Sequence, residues 1–249
     1  MRLALLADVH ANLAALEAVV HDLREGAIDR VIVAGDLIGY HAEAAECVAL
    51  LQEIDATVIA GNHDREVTHA PTDSGTHAAA RVALAHARSA LRPEQIDWLA
   101  RLPTRRVLDE IVVVHGCFLN ETGVHGYVTD TMLPRNLEVI ASRPEWPRLG
   151  ACGHTHVPMV GWLLADDVVV QPPARGEVSL PRAPRAVLLN PGAVGQPRDG
   201  DPRASYAWVD TRTQCVSFRR VEYDVERTCA AVRAAGLPEA LALRLREGR

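Results

Sequence analysis

Apolar and polar positions along this chain fall into two regimes. In the first, short β-branched runs alternate with helical stripes, the pattern of βαβ units. Leu3 to Ala7 is an apolar run; Asn12 follows as an N-cap, and Leu13, Leu16, Val20 and Leu23 recur at helical spacing before Gly26. Val31 to Ala34 is the next predicted strand, Ala42 to Glu53 a helix, and Ala56 to Ala60 a third buried strand. The stretch from Pro71 to Arg101 is helical in composition: His77 to Leu91 is rich in Ala and Arg, and Pro93 opens a further helix ending near Leu102. This insertion reads as a packing layer on the sheet, with one wall of a cavity as the alternative. Ile111 to Val114 and Leu149 to Cys152 return to strand, on either side of a helix from Leu133 to Ser142.

Beyond His156 the regime changes. Val157 to Leu164, Val168 to Gln171, Ala186 to Asn190, Ser205 to Val209 and Cys215 to Val221 are short strands split by Pro, Gly and Asp. They read as an antiparallel meander that forms a second sheet beside the first. Asp224 to Arg246 closes the chain as one or two helices around Gly236-Leu237-Pro238. No repeat, low-complexity tract or long linker divides the 249 residues. The expectation is an α/β fold, one domain over 1–249 with two sheets.

The polar residues that interrupt the first regime are not scattered. Five apolar strands end in Asp8-Val9-His10, Gly35-Asp36, Gly61-Asn62-His63-Asp64, His115-Gly116 and Gly153-His154-Thr155-His156. Strand tips are where α/β sheets bind ligands, and a set of imidazole, carboxylate and amide donors without thiolate suits Mn, Fe, Co, Ni or Zn. Asp8, His10, Asp36, Asn62, His115, His154 and His156 exceed the three or four ligands of one catalytic zinc. They match two ions roughly 3.5–4 Å apart sharing a carboxylate; Asp36, central in chain order, is the candidate bridge. Asp8 and His10, like His154 and His156, are two apart, so in extended chain both members of each pair would reach one cluster. Asp64 reads as a supporting residue that orients backbone or ligands.

Composition narrows the alternatives. Net charge is −6, which argues against stable nucleic-acid binding. No window approaches the roughly 18 apolar residues of a membrane span, and the N-terminal run is too short for a signal peptide. Five cysteines without a CxxC pair suit reduced thiols in a cytoplasmic protein. Every basic residue apart from histidine is Arg, which excludes a P-loop lysine, a Schiff base and a Ser-Lys dyad.

In this order the five motifs resemble those of the calcineurin-like metallophosphoesterases, from Met1 to at least Asp210. The stretch Asn190-Pro191-Gly192-Ala193 through Arg198 is similar to the Asn-Pro-Gly-Ser loop of the small bacterial and archaeal phosphodiesterase branch. The resemblance implies a four-layer α/β/β/α sandwich of two mixed sheets flanked by helices. It implies one divalent ion on Asp8, His10, Asp36 and His156, and a second on Asp36, Asn62, His115 and His154, with Mn the first choice. His63 would protonate the leaving oxygen of a small or nucleotide-type phosphoester attacked by hydroxide shared between the ions. A phosphomonoesterase or protein phosphatase is the alternative within enzymes, and a protein-interaction platform like a retromer subunit the alternative outside them. The chain lacks the Arg and second Asp of the phosphoprotein phosphatase motif at Gly35 to Tyr40, and Cys117 and Ala193 stand where the small branch has Ser. His41 and His125, in loops after motif strands, are candidates for substrate contact. Cys117 reads as a buried, inert thiol. Arg198 and Arg203 read as turn residues, with a phosphate contact as the alternative, and Tyr40, Trp162 and Trp208 as packing.

Overall fold

Strand β1 (Arg2–Leu6) shows how one apolar run serves two cores. Leu3, Leu5 and the following Ala7 enter one buried cluster, whereas Ala4 and Leu6 enter another, as the period-two alternation of a strand buried on both faces requires. The computed structural model describes residues 1–69, 77–165, 167–171 and 176–249. After β1 come α1 (Leu13–Glu25), β2 (Arg30–Val33), α2 (Ala44–Glu53), β3 (Thr57–Val58) and the helices α3 (Asn62–Thr68), α4 (Ala78–Ala90) and α5 (Pro93–Ala100). Next are β4 (Arg105–Val107), β5 (Val112–Val114), α6 (Leu133–Ala141) and β6 (Leu149–Ala151). The later strands are β7 (Met159–Leu164), β8 (Asp167–Gln171), β9 (Gly176–Ser179), β10 (Ala186–Asn190), β11 (Ala204–Asp210) and β12 (Cys215–Val221). Helices α7 (Val225–Ala234) and α8 (Glu239–Glu247) follow.

The strands form two mixed six-stranded sheets, β3-β2-β1-β11-β12-β9 and β4-β5-β6-β10-β7-β8. Apolar side chains from both, including Leu3, Leu5, Ile32, Val113, Val160, Val187 and Val216, make the layer between them. Leu16, Val19, Val48, Leu51 and Leu84 cover the outer face of the first sheet; Leu133, Leu137 and Ile140 of α6 cover the second. The result is the α/β/β/α sandwich. Each fully buried Leu of these layers contributes about 1.5–3 kcal/mol.

The expected meander does not make a sheet of its own. β11 and β12 extend the first sheet, β11 pairing antiparallel with β1, while β7, β8 and β10 join β5 and β6 in the second. Pairing between distant strands leaves no local signature, so the sequence pattern cannot assign them. β4 and β9 are additional strands. β4 is Arg105-Arg106-Val107 at a sheet edge, where charged side chains replace apolar alternation. The start of the insertion, residues 70–76, lies outside the described residues. α4 does pack on the first sheet's core through Leu84 and Ala87. Among the described residues no helix is long and apolar enough to cross a membrane.

Candidate metal centre

The parallel strands β1, β2 and β3, and the parallel pair β5 and β6, end at one edge of the sandwich, and every motif residue sits just past one of these ends. Gly61-Asn62-His63-Asp64 is not a free turn: Gly61 caps α3, and Asn62 opens it. Asp8, His10, Asp36, His154 and His156 all have positive φ, between 51° and 67°. Non-glycine residues avoid that region, and they concentrate there at functional sites. The extended-chain spacing rule therefore does not explain the pairs: Asp8 and His10 share a cluster without being extended, and His154 and His156 go to different ones.

Donor atoms converge in overlapping sets, each within 4.8 Å: Asp8, His10 and His156; His10, Asp36 and His63; and Asp36, His115 and His154. In the first, His10 Nε2 and His156 Nε2 are 3.1 Å apart, with Asp8 Oδ1 3.9 and 3.4 Å from them. In the last, His115 Nε2 is 3.1 Å from both His154 Nδ1 and Asn62 Oδ1. One oxygen joins the two: Asp36 Oδ2 lies 3.7 Å from His10 Nε2 and 3.3 Å from His115 Nε2. His63 Nε2 is 3.9 Å from the same oxygen, the most distant of the three imidazoles.

The surroundings aim these atoms inward. Nδ1–H of His10, His115 and His156 donates to the carbonyls of Ile38, Ala34 and Gln196 at 3.1, 2.7 and 2.6 Å, leaving each Nε2 lone pair facing its partners. Asp64 stays out of the cluster. Its carboxylate accepts from the amides of Leu37, Ile38 and Gly61, tying the tips of β2 and β3 together as the supporting role requires. Asn190 donates to the Gly153 carbonyl and Thr155 Oγ1 and accepts from the Gly192 amide, so the Asn-Pro-Gly turn holds the His154 loop. The donor set is oxygen and nitrogen only, buried except at Asn62 and His154, which are half-buried, and oriented from behind; it fits borderline divalent ions.

Like charges and burial compete here. Burial pushes the Asp8 carboxyl up to about 7, against the charge of His115. Burial and the charge of Asp36 raise Asp64 to about 7. Burial holds His10, His63 and His156 below the ordinary imidazole value, and lowers His154 to about 3. His115 goes the other way: burial opposes its charge, but Asp36 outweighs it and lifts the imidazole to about 9. The pair leaves Asp36 ionised, well below its usual value despite burial.

A cavity of about 320 Å³ opens on the cluster. Besides motif residues, its lining includes Tyr40, Glu66, His77, His125, Tyr127 and Arg198. The α3–α4 insertion is thus wall as well as packing layer. Tyr40 is more than packing: its ring lies 4.4 Å from His10 and 4.7 Å from His63. Tyr127, 53% exposed, stacks flat on His154 at 4.4 Å; nothing in its sequence context signals this. His125 reaches the cavity, whereas His41 is fully buried and donates from Nδ1 to the His10 carbonyl. Cys117 is buried and accepts from Asn120 Nδ2. Arg203 pairs with Asp201 in its own turn, as expected, but Arg198 leaves its turn for the cavity. Trp162 is buried between the sheets and Trp208 packs on the first sheet's outer core.

The profile of the calcineurin-like phosphoesterase superfamily domain matches residues 1–214. The protein MJ0912 of Methanocaldococcus jannaschii is 29% identical over 252 residues, covering 99% of this chain and 98% of its own. A crystal structure of a metallophosphoesterase from Sphaerobacter thermophilus superposes with a TM-score of 0.86 at 35% identity, covering both chains completely. The protein PH1004 of Pyrococcus horikoshii shares the fold, with a TM-score of 0.81 at 19% identity over 100% of this chain and 98% of its own.

Proposed function

Because the chain belongs to the calcineurin-like phosphoesterase superfamily, we propose that it is a dinuclear metal-dependent phosphohydrolase. The favoured substrates are small or nucleotide-type phosphodiesters. The observation that carries the reading is Asp36 Oδ2, which faces His10 of one donor set and His115 of the other at 3.7 and 3.3 Å. Asp8, His10, Asp36 and His156 would hold one divalent ion, and Asp36, Asn62, His115 and His154 the other; Mn, Fe, Co, Ni and Zn all suit these donors. Bound divalent ions supply Lewis-acid charge for the phosphoryl oxygens and lower the pKa of water.

The chain's own residues do the rest. Asp64 and Asn190 keep the strand tips in register, so the donors do not reorganise as charge develops. His63 lines the cavity beside Asp36, where it would face an oxygen leaving the phosphorus. In the protonated form it would donate from Nε2 to that oxygen, a step worth typically 10²–10⁴-fold. Absence of the phosphoprotein phosphatase Arg and Asp from Gly35 to Tyr40 supports a small substrate over a phosphoprotein.

Elemental analysis of the purified protein, followed by assay with Mn on an aryl phosphodiester and its monoester, tests this. About two ions per chain and a diester preference are expected. A strong monoester preference transfers the reading to a phosphomonoesterase. A chain that takes up no metal after supplementation is a scaffold, not a hydrolase.

A further inference from the structure

Arg198 stands in an unusual place for a guanidinium. It comes from the loop after β10, and its backbone N–H donates to the His156 carbonyl at 3.3 Å, which fixes its Cα against the first donor set. The side chain turns into the cavity, its guanidinium carbon 5.7 Å from the centre of the Tyr40 ring. Its Nη2 donates to Tyr40 Oη and Gln196 Oε1, both at 3.2 Å. Both acceptors are neutral. Nε is buried and has no partner, and among the described residues Arg198 forms no ion pair.

Three other arginines show the fork engaged in full. Arg203 is bidentate on Asp201, Arg233 on Glu239 and Arg246 on Glu226. A second cation adds to the positive charge here: burial and the charge of Arg198 pull the Arg244 guanidinium of α8 below its ordinary value. Two cations influence each other and Tyr40, and no carboxylate is bonded to Arg198. A planar fork with five donors, held by its neighbours and short of an acid, matches tetrahedral oxyanions. The cavity is also where the proposed function places a phosphoester.

We propose that Arg198 binds a non-bridging oxygen of the phosphoester, as the phosphoryl clamp of this site. The inference rests on the hydrolase reading and deepens it. The motif from Gly35 to Tyr40 supplies no Arg; here the charge arrives from the far end of the chain, and Tyr40 serves as its platform. Tyr40 and Gln196 hold Nη2, so Nη1 remains for a ligand.

The test is equilibrium binding of inorganic phosphate to the Mn-loaded protein by calorimetry, with metal content measured in the same samples. Arg198→Met keeps the apolar stem over Tyr40 and removes the charge; Arg198→Lys keeps the charge and removes the fork. The Met variant should bind phosphate about 10- to 100-fold more weakly at unchanged metal content, since hydrogen bonds to charged groups contribute on that scale. The Lys variant should fall between it and wild type, and kcat/KM for an aryl phosphodiester should drop in the same order. Phosphate binding by the Met variant within twofold of wild type overturns the proposal. So does a Met variant that loses its metal, which would make Arg198 a support for the His156 loop. Metal-loaded wild type that binds phosphate and hydrolyses ester while the variants match it leaves the hydrolase reading standing without the clamp. Wild type that does neither overturns the hydrolase reading, and the clamp with it.

Discussion

Gly61→Ala probes the join between the two donor sets without replacing a donor. Gly61 has φ −90° and ψ −175°, angles that alanine adopts freely, so any effect comes from contact alone. A Cβ there would sit 2.1 Å from Asp36 Oδ1 and 2.3 Å from the Asp36 backbone nitrogen. Rotating the carboxylate relieves the first contact and leaves the second. Real Cβ contacts stay beyond 3.0 Å, so the tips of β2 and β3 must separate by ~0.7 Å, from 2.3 to 3.0 Å. Overpacking of this kind costs about 1–3 kcal/mol. At about 2–4 °C per kcal/mol for a chain of this size, Tm should fall by roughly 2–12 °C. A shift of nearly an ångström at a positioned group costs on the order of 10²-fold in rate. Activity should therefore fall about 10²-fold, with metal retention weakened because Asp36 serves both sets. Gly200→Ala is the control: φ is +83° and nothing lies within 4 Å, so it costs about 1 kcal/mol of backbone strain and no activity. Differential scanning fluorimetry, elemental analysis and a diester assay on the two variants decide the matter. Gly61→Ala with wild-type activity and metal content would refute the reasoning.

Three further outcomes are expected. His63→Ala should slow turnover of esters with poor leaving groups far more than of good ones, because only the former need a proton; equal losses would remove His63 from that role. Metal-stripped protein should lose stability between pH 7 and pH 9. His115 is raised to about 9, so its stabilisation is full below its unfolded value near 6.5 and is lost as pH rises through 9, on the order of 3 kcal/mol. His10, His154 and His156 are depressed and favour the fold only as pH rises to about 6.5, so they do not oppose that fall; a Tm flat across this window for the stripped protein would contradict the Asp36–His115 pairing. Asn190→Ala, at a fully buried position, leaves the Gly192 amide without its acceptor and removes one of the bonds made by the Gly153 carbonyl and by Thr155 Oγ1. It should cost about 2–4 kcal/mol in thermal unfolding and weaken metal retention; an unchanged Tm would count against the buttress.

What the sequence carried well is what depends on neighbours in the chain. The strand-tip motifs, the helix cap at Asn12 and the closing helices around Gly236 are local patterns, and the structure places them where they are expected. What it carried poorly depends on distant contacts. β11 belongs with β1 because of a register between Leu3 and Val209, which no window of residues contains. Tyr127 lies in an unremarkable loop, and Arg198, at the end of the Asn-Pro-Gly loop, could not be told from the turn residue Arg203; only the fold brings both Tyr127 and Arg198 to the cavity. The positive φ of Asp8, His10, Asp36, His154 and His156 is invisible in residues that usually avoid it.

Each of the two proposed ion sites draws on both sheets. Asp8 and His10 hang from the first and His156 from the second; Asp36 and Asn62 hang from the first, His115 and His154 from the second. A cation seated in either set would thus act as a rivet through two plates at one rim. Ion occupancy would then govern how far that rim breathes, and amide exchange at the strand tips should slow on loading while the opposite rim stays as it was.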